Sequence, residues 1–362
     1  HDALPILPFL FIIPYATFLP GEFRSMKKVS VIIPCFNATK YLPKCFMSLV
    51  QQTIGIDQIE LIFVDDASTD EDATWNMLQE FERAYPESIM ILKLEENMRQ
   101  GGARNVALQY ATGEYIAFVD ADDFVAENFL LETYEKAKES DAAIIQFEYF
   151  YYTDRLGAVD SGRNITPEVI EISSVSDRKK FLISEEVTYG CWNKLYSHTL
   201  LKEAHTAYAE HVIYEEPLFV YPLLYFANKI VILNDAYYYY RQNDSGTMRN
   251  DMRQEETLKM HADVQLAVWN FMKKTPFFKE YYDEIKLYFL HTYLYETLYF
   301  AKLRDFKPSY SFYKELEKTI LAEVPDYAQS IYSALIPKQM ELYRMIGEGM
   351  TEVKFKEYWE RL

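Results

Sequence analysis

Cysteine and positive charge are both scarce in this chain of 362 residues. The three cysteines, Cys35, Cys45 and Cys191, match neither a disulfide framework nor a metal cluster in number or spacing. We therefore expect reduced thiols and a cytoplasmic location. With 37 basic and 55 acidic residues, the formal net charge is −18. Because nucleic acids and anionic membranes are held largely by positive surface, we expect neither as a general partner, although a local basic patch would allow peripheral docking on a membrane.

A clean hydrophobic membrane segment is also missing. Residues 4–20 are apolar, but four prolines interrupt them, no basic stretch precedes them and no small-residue cleavage site follows. The residues just after them read as a junction left by cloning in front of an initiator, Met26. We interpret residues 1–25 as a cloning-derived leader and leave them out of functional reasoning.

Aromatic residues are abundant instead, with 31 Tyr and 24 Phe. Stacking sites, an interface and a coding bias all account for such numbers, and composition does not separate them.

The length allows two domains, which we place at 26–249 and at 250–362, the second one helical. One stripe of a long helix in the second domain is typical of packing and consists of Tyr281, Tyr288, Tyr295 and Tyr299.

The first half of the chain alternates apolar runs with helix-like segments. The predicted buried strands are 29–33, 59–64, 88–94 and 115–119, and the predicted helices are about 39–53, a segment from Glu71, and a segment ending at Ala111. Pro34 is expected to end the first strand. The alternation is typical of an α/β domain with a mainly parallel sheet flanked by helices. Its ligand crevice would lie at the carboxyl ends of the strands, so the polar loops 34–37, 65–70 and 120–123 should converge on one site.

The signals that follow are less regular. We predict a fifth strand at 142–152, an irregular polar loop at 153–175, a helix from Pro217 to about Ala227, and two short strands at 230–233 and 237–241. Glu216 would stand at the start of the helix, where the helix dipole favours a carboxylate. On position alone, a simple capping role is the better explanation for Glu216.

Three carboxylates crowd the end of the fourth strand, at Asp120, Asp122 and Asp123. Carboxylates this close repel one another unless a cation or a protonation shift relieves them. A Mg²⁺ or Mn²⁺ site that takes a phosphorylated ligand is one interpretation, and a solvated turn is equally well supported by this stretch alone.

Four blocks, in this order and spacing, resemble the family 2 glycosyltransferases of GT-A fold, which is a Rossmann-like fold. They are Val29-Ser30-Val31-Ile32-Ile33-Pro34-Cys35-Phe36-Asn37, Val64-Asp65-Asp66-Ala67-Ser68-Thr69-Asp70, Ala103-Arg104-Asn105 and Gly113-Glu114-Tyr115-Ile116-Ala117-Phe118-Val119-Asp120-Ala121-Asp122-Asp123. The resemblance continues more loosely through Trp192-Asn193-Lys194-Leu195-Tyr196, Glu215-Glu216 and Tyr240-Arg241, and stops near residue 250. It implies a bacterial enzyme of polysaccharide or glycan synthesis that uses a nucleotide sugar, in particular a UDP-sugar.

The resemblance also implies roles in donor binding. Pro34, Phe36 and Asn37 would lie at the nucleotide, and Asp66 would accept a hydrogen bond from uracil, with a helix-capping turn as the alternative. Arg104 would contact the diphosphate or brace the site, and a plain ion pair with a neighbouring acid explains it equally well.

The carboxylates of Asp120-Ala121-Asp122 resemble the Asp-x-Asp motif of the family. By that match Asp122 binds Mn²⁺ or Mg²⁺, Asp120 lies by the ribose or shares the ion through water, and Asp123 supports them. Such an ion neutralises the charge that grows on the departing nucleoside diphosphate. Residues 57–87 carry ten acidic residues and one basic, so a diphosphate there would be repelled without a cation.

The second residue of the family's Glu-Asp motif, the base that deprotonates the acceptor hydroxyl, corresponds to Glu216. The residue is Glu rather than Asp, one methylene longer, which leaves Glu215 as the rival. With this base the reaction is a single in-line displacement that inverts the anomeric carbon. Trp192 would form part of the acceptor floor or belong to the core, and Arg241 would reach the diphosphate or form a surface ion pair.

Three alternatives differ in what the sequence should contain. A sugar-phosphate nucleotidyltransferase should carry a Gly-rich, basic loop after the first strand, where this chain has Pro34-Cys35-Phe36-Asn37. A phosphoacceptor receiver domain built on Asp65-Asp66 lacks a suitably placed Lys and would be much shorter. A catalytically silent relative that only binds saccharide or a partner enzyme should lack Asp122 or the base, and both positions are occupied.

The expected reaction moves a hexose or N-acetylhexosamine from a UDP-sugar to a saccharide hydroxyl. The acceptor would be a lipid-linked saccharide, a growing polysaccharide or a protein-linked glycan. A lipid-linked acceptor would require peripheral docking at the inner face of the membrane. The helical residues 250–362 would cover the acceptor side or form a homo-oligomer.

Overall fold

The computed structural model describes residues 26–163, 165–184, 186–242 and 255–362, together with the backbone of residues 15–16. Two compact units divide the chain, His1–Asn243 and Asp244–Leu362. The boundary predicted at residue 250, like most of the leader predicted at 1–25, falls outside the described residues and stays a prediction. Within that leader, Tyr15–Ala16 forms a two-residue strand paired with Ile89–Lys93.

Eleven described strands form one sheet in the first unit. They are β1 (Tyr15–Ala16), β2 (Val29–Cys35), β3 (Ile59–Asp65), β4 (Ile89–Lys93), β5 (Tyr115–Phe118), β6 (Phe124–Val125), β7 (Ile144–Thr153), β8 (Gly157–Asp160), β9 (Glu168–Glu171), β10 (Lys194–Ser197) and β11 (Lys229–Arg241). Their order is β1-β4-β3-β2-β5-β10-β7-β11-β6, with β8 beside β7 and β9 beside β11. Strands β4, β3, β2 and β5 are parallel, as predicted, whereas β10 joins β5 to β7 antiparallel to both.

Seven described helices accompany the sheet. They are α1 (Leu42–Val50), α2 (Ala73–Ala84), α3 (Arg99–Leu108), α4 (Phe129–Ser140), α5 (Val175–Leu182), α6 (His198–Ala204) and α7 (Glu216–Phe226), with a short 3₁₀ turn at Ile56–Gln58. Both faces of the sheet are covered, which explains why β2 and β3 are buried at every position and read as continuous apolar runs. Alternate residues of β2 pack with α1, and Phe118 of β5 packs with Phe219 of α7 on the opposite face.

Pro34 does not end the first strand, because β2 continues to Cys35. Pro34 pairs in parallel register with Val64 of β3, while the pairing of β2 with β5 has already ended at Ile32. The amide that proline lacks would point toward the β5 side, so its absence breaks no ladder hydrogen bond.

Two further predictions about strands were wrong. Residues 153–175 are not irregular throughout, since β8 pairs with β7 and β9 pairs with β11. Both strands are short and largely exposed, so they lack the apolar alternation that marks a strand in a sequence. The strands predicted at 230–233 and 237–241 are one strand, β11, whose register shifts between Ile232 and Tyr238. The polar pair Asn234-Asp235 in that irregular stretch looks like a strand break in the sequence.

The second unit is helical throughout its described part, as predicted. Its helices are α8 (Glu255–Met272), α9 (Tyr282–Leu290), α10 (Thr297–Leu303), α11 (Tyr310–Glu323), α12 (Pro337–Gly347) and α13 (Glu352–Arg361), with a π-helical segment at His291–Glu296 and a 3₁₀ turn at Ser333–Leu335. The predicted tyrosine stripe runs along α9, the π segment and α10. Tyr281, Tyr288 and Tyr295 are buried and therefore serve packing, whereas Tyr299 is 37% exposed.

Acid should weaken the second unit through one buried imidazole. His261 of α8 is 3% exposed, and its Nδ1 lies 2.8 Å from Oγ1 of Thr297. Burial, aided by the charge of Arg304, lowers the pKa of His261 to about 3. The unfolded chain takes up this proton near pH 6.5, so the stabilisation is complete above that pH and declines by about 1.4 kcal/mol per unit as pH falls toward 3. We expect a loss of about 2 kcal/mol between pH 6.5 and 5.

Thermal unfolding at several pH values, compared with His261→Gln, measures this contribution. The variant has no imidazole to protonate, so its stability should fall less steeply with acid. Parallel pH dependences of the two proteins would show that His261 is not the responsible group.

Candidate active site

The carboxyl ends of β2 and β3 meet through a set of side-chain to backbone hydrogen bonds. The amide of Thr69 donates to Oδ1 of Asn37 at 2.8 Å, and the amide of Asn37 donates to Oγ of Ser68 at 3.0 Å. Phe36 in the same loop is 48% exposed, whereas Pro34 is buried in the strand. The loops predicted to converge at these two strand ends therefore do so, and Asn37 and Phe36 are accessible to a ligand.

The side chain of Asp66 is buried next to the first turn of α3. It is 3% exposed, and its Oδ1 accepts a hydrogen bond of 2.7 Å from the amide of Met98, the residue before α3. Burial raises the pKa of Asp66 to about 7 despite the amides that stabilise its charged form. The carboxylate thus caps α3, a different helix from the one that follows its own loop. Its contact with uracil stays a prediction.

The acidic turn after β5 is closed by Asp123. The amide of Asp123 donates to the carbonyl of Asp120 at 3.0 Å, and its carboxylate is buried. That carboxylate accepts hydrogen bonds from Oη of Tyr238 at 2.7 Å and from the amide of Arg241 at 2.6 Å. Burial, followed by repulsion from Asp122 and Asp120, raises the pKa of Asp123 well above its usual range. Asp123 therefore holds the turn from its buried side, while Asp120 and Asp122 are only partly buried.

Arg104 links this turn to a second carboxylate far away in the sequence. Its guanidinium is 1% exposed, with one terminal nitrogen 2.7 Å from Oδ1 of Asp120 and the other 2.5 Å from Oε1 of Glu215. The ring of Tyr208 lies 5.3 Å from the guanidinium carbon. Its two terminal nitrogens bind carboxylates, so Arg104 forms a buried ion-pair link between them, and its contact with a diphosphate stays a prediction.

Gly101 allows this ion-pair link to form. A Cβ built on Gly101 of α3 would lie 2.2 Å from the carbonyl oxygen of Ala209 and 2.9 Å from Cγ of Glu215. Any side chain here would push the 209–215 segment away from α3, and that segment ends in Glu215, directly before Glu216.

Gly101→Ala should therefore be destabilising although alanine is the better helix former. We expect a loss of about 1–3 kcal/mol, the usual cost of overpacking, together with reduced activity because Glu215 must move away from Arg104. Differential scanning calorimetry measures the first effect. Gly347→Ala is the matched control, since its new methyl would meet only the hydroxyl of Tyr327, at 3.3 Å. A Gly101→Ala protein as stable and active as the control would contradict the close approach.

The two glutamates of the acidic pair have different surroundings. Glu215 is 5% exposed and bound to Arg104, and burial raises its pKa to about 7 against the pull of that guanidinium. Glu216, the first residue of α7, is only partly buried, and its Oε1 accepts a hydrogen bond of 2.8 Å from the amide of Cys191. A group that removes a proton from a substrate must be reachable. The geometry favours Glu216 over Glu215 for that role.

Arg241 lies against the acidic turn and is 6% exposed. Its Nε donates to the carbonyl oxygen of Asp122 at 2.8 Å, and one terminal nitrogen lies 2.5 Å from Oδ1 of Asp154. The guanidinium carbon is 4.6 Å from the centroid of the Tyr41 ring. Arg241 is therefore next to the predicted metal ligand, and the partner that would have to release it for a diphosphate is the exposed Asp154.

Aromatic rings form a cluster around Trp192. Its ring stacks on Tyr240 at 5.4 Å and meets Tyr149 and Tyr238 at 4.8 Å each. Trp192 is partly buried rather than sealed in the core. Tyr238 also binds the acidic turn, with its hydroxyl 3.1 Å from the amide of Asp120. The cluster thus adjoins the carboxylates and offers partly exposed flat faces that suit a sugar ring.

Sequence reasoning missed Tyr238 and the amide of Cys191. The sequence predicts a short strand at 237–241, in which the family resemblance singles out only Tyr240-Arg241. Residues two apart in a strand share a face, so Tyr238 and Tyr240 could have been placed together, but which face meets the acidic turn depends on long-range pairing. A backbone amide leaves no trace in a sequence.

A cleft of about 380 Å³ lies elsewhere, at the start of β7 and β11. Asp141, Glu171, Ser197, Glu203 and Lys229 are among its lining residues. β7 and β11 run in parallel, and the predicted site lies toward their other ends. None of the predicted site residues lines this cleft.

A family model for glycosyl transferase family 2 matches residues 30–204. Glycosyltransferase GlyG of Streptococcus pneumoniae is 31% identical over 233 residues, which cover 62% of this chain and 73% of GlyG. A poly(ribitol-phosphate) β-glucosyltransferase of Bacillus spizizenii is 29% identical over 59% of this chain and 32% of its own length. The chain therefore spans about a third of that second relative.

Among solved structures, Staphylococcus aureus TarS 1–349 in complex with UDP-GlcNAc has a TM-score of 0.69 at 21% identity. The superposition covers 92% of this chain and 89% of that one, which confirms the predicted GT-A fold with its helical C-terminal region. In the described part of the chain every helix is too short or too polar to cross a bilayer. Given the match to GlyG over most of its length, the chain belongs to glycosyltransferase family 2.

Proposed function

We propose that this family member is an inverting, metal-dependent enzyme that moves a hexose or N-acetylhexosamine from a UDP-sugar to a saccharide hydroxyl during glycan or polysaccharide synthesis. The observation that carries the proposal is the buried link from Asp120 through Arg104 to Glu215. It ties the carboxylates suited to a metal to the turn that presents Glu216. The UDP-GlcNAc complex of TarS and the polymer-modifying relatives support this donor and this kind of product.

The donor lies across the carboxyl ends of β2, β3 and β5. Phe36 and Asn37 line the nucleotide from the exposed β2 loop, and Asp66 reads the base from its position at α3. Arg241 turns from Asp154 toward the diphosphate, because Asp154 is 70% exposed and competes weakly for it. Arg104 stays buried and keeps Asp120 in place.

The acidic turn suits Mn²⁺ or Mg²⁺ through few protein ligands. Asp122 and one oxygen of Asp120 would hold the ion, since the other oxygen of Asp120 is bound to Arg104. Among the described residues, no three His, Cys, Asp or Glu side chains gather into a complete cage. Mg²⁺ sites of this kind take their other ligands from substrate phosphates and water. When bound, the ion supplies Lewis-acid neutralisation of the departing diphosphate.

Glu216 acts as the general base in a single displacement. Its Oε1 is held by the amide of Cys191, which leaves Oε2 for the acceptor hydroxyl. Glu216 takes the hydroxyl proton while the acceptor oxygen forms a bond to the anomeric carbon. On the opposite face the bond from that carbon to the diphosphate breaks, and UDP leaves with the electron pair. The product has inverted configuration, and Glu216 then returns its proton to solvent.

The acceptor sugar stacks on the aromatic cluster of Trp192, Tyr149 and Tyr240, which adjoins the acidic turn. A lipid-linked saccharide, a polysaccharide and a protein-linked glycan all present such a ring, and a lipid-linked acceptor would bring the enzyme to the inner face of the membrane. We also propose that the second unit contributes to acceptor binding or to a homo-oligomer, which sedimentation of the full chain with and without acceptor tests.

A screen of UDP-, GDP- and dTDP-sugars for slow hydrolysis with Mn²⁺ tests the donor without knowledge of the acceptor. We expect hydrolysis of a UDP-sugar that stops when EDTA removes the ion. A protein that binds saccharide but neither binds nor hydrolyses any donor would be a silent relative. Formation of a nucleotide sugar from a nucleoside triphosphate and a sugar phosphate would reveal a nucleotidyltransferase.

A further inference from the structure

One peptide group connects a buried lysine to the proposed base. Nζ of Lys194 donates to the carbonyl oxygen of Gly190 at 2.6 Å. The amide on the other side of the same peptide bond, that of Cys191, donates to Oε1 of Glu216 at 2.8 Å. The ammonium, the peptide plane and the carboxylate therefore form a continuous hydrogen-bonded chain.

The surroundings of Lys194 are unusual for a lysine. The residue is fully buried at the start of β10, and its other two contacts are Oγ1 of Thr188 at 2.9 Å and Oδ1 of Asn193 at 2.8 Å. In the described part of the chain no carboxylate lies within 4.0 Å of its ammonium. Burial lowers the pKa of Lys194 to about 7. A buried ammonium without an ion pair is costly, and a neutral side chain would fill the space more cheaply.

We propose that Lys194 is a positioning residue that orients and polarises the Gly190–Cys191 peptide so that its N–H holds Glu216 in the reactive rotamer. Hydrogen bonds in a chain polarise one another, so a cation on the carbonyl strengthens the N–H bond at the far end. The ammonium thereby acts on the base without occupying the space that the acceptor needs. This inference rests on the proposed role of Glu216.

Gln146 also holds the loop, through Thr188 and the carbonyl of Glu186, and this provides a control. Gln146 of β7 accepts from the amide of Thr188 at 2.9 Å and donates to the carbonyl of Glu186 at 3.0 Å. Thr188→Val removes one acceptor of Lys194 and the bonds that the Thr188 hydroxyl donates to Gln146 and Asn193, at 3.2 Å each. It leaves the Gln146 to Thr188 amide bond and the Gly190 contact in place. A lysine that only supports the loop would make Thr188→Val and Lys194→Met similar in effect.

The test combines turnover, donor binding and an amide signal. We expect Lys194→Met to lower turnover about 100-fold, the scale of a misplaced catalytic group, with the dissociation constant for UDP unchanged by calorimetry. Thr188→Val should stay within about threefold of the parent protein. In the Glu216→Gln background, Lys194→Met should cost no further activity beyond about twofold, because no base remains for the Cys191 amide to position.

A spectroscopic readout separates this inference from the proposed reaction. Selective ¹⁵N-cysteine labelling gives three amide signals, from Cys35, Cys45 and Cys191. The Cys191 proton should shift upfield in both Lys194→Met and Glu216→Gln, since each weakens its hydrogen bond. If Glu216→Gln keeps full turnover but the Cys191 proton still shifts, Glu216 is not the base, while the hydrogen-bonded chain from Lys194 to residue 216 is supported. An unmoved Cys191 signal, or additive losses in the double variant, would overturn the proposal.

Lys194→Gln serves where Lys194→Met does not fold. Its amide keeps one neutral donor for the Gly190 carbonyl and fills similar space. An intermediate upfield shift and an intermediate loss of turnover are expected, because the contact persists without the charge. Parent-like values for both would show that the charge has no role.

Discussion

Glu216→Gln should bind the donor as the parent protein does and lose transfer activity by about 10²–10⁴-fold, the usual contribution of a general base. Glutamine keeps the shape of the side chain and can still accept from the amide of Cys191, so the local structure should persist. What it lacks is the capacity to take the acceptor proton. Turnover with a UDP-sugar and a saccharide acceptor measures the loss of transfer, and calorimetry with UDP measures donor binding.

Glu215→Gln should behave differently although it alters the neighbouring residue. Glu215 is one of two carboxylate partners of the buried Arg104, so removing its charge leaves that guanidinium with Asp120 alone. We expect a cost below the about 3–5 kcal/mol of a buried charge that has lost its whole pair. We expect a lower melting temperature and weaker donor binding rather than a pure loss of turnover. Glu203→Gln on the exposed face of α6 is the control for a charge change alone. Full transfer by Glu216→Gln with none by Glu215→Gln would exchange the two assignments.

The central strands were predictable from the sequence because both of their faces are buried. Continuous apolar runs identified β2 and β3 to within two residues, for example 59–64 against Ile59–Asp65. The insertion of β10 between β5 and β7 was not predictable, since it depends on pairing between distant segments. Exposed edge strands such as β8 carry almost no apolar signal. The local sequence pattern therefore identifies buried strands, but it does not show which strands pair when they are distant in the sequence.

In the candidate site too, some features are predictable from the sequence and others are visible only in the structure. Asp120, Asp122 and Glu216 are predicted from local spacing and family resemblance, and the fold links the two regions through Arg104. For Arg104 the sequence left a diphosphate contact, a brace and an ion pair open, and the structure shows buried ion pairs with both regions that no spacing reveals. It also revealed the Lys194 contact with the Gly190 carbonyl, because backbone atoms are identical at every position of a sequence.

Asp122→Ala should abolish metal-dependent donor binding. If Asp122 is the direct ligand of Mn²⁺ or Mg²⁺, its loss leaves Asp120 with a single oxygen beyond the Arg104 bond, which is too little to hold the ion against water. The diphosphate would then face the acidic turn without a neutralising charge. We expect transfer to fall below detection and the enhancement of UDP affinity by Mn²⁺ to disappear.

Calorimetric titration of UDP with and without Mn²⁺ distinguishes this outcome from a folding defect. Asp177→Ala is the control, because Asp177 is a partly buried aspartate in the first turn of α5, bonded to Ser173 and Ser174, and belongs to no part of the site. Its metal-dependent affinity should equal that of the parent protein.

Asp122 differs from Asp123, whose carboxylate is buried against Tyr238. Asp123→Ala should therefore lower the melting temperature as well as activity. Asp122→Ala should leave the fold intact. A stable Asp122→Ala protein that still binds UDP more tightly with Mn²⁺ would move the metal site away from this turn, and with it the reason for three carboxylates at the end of β5.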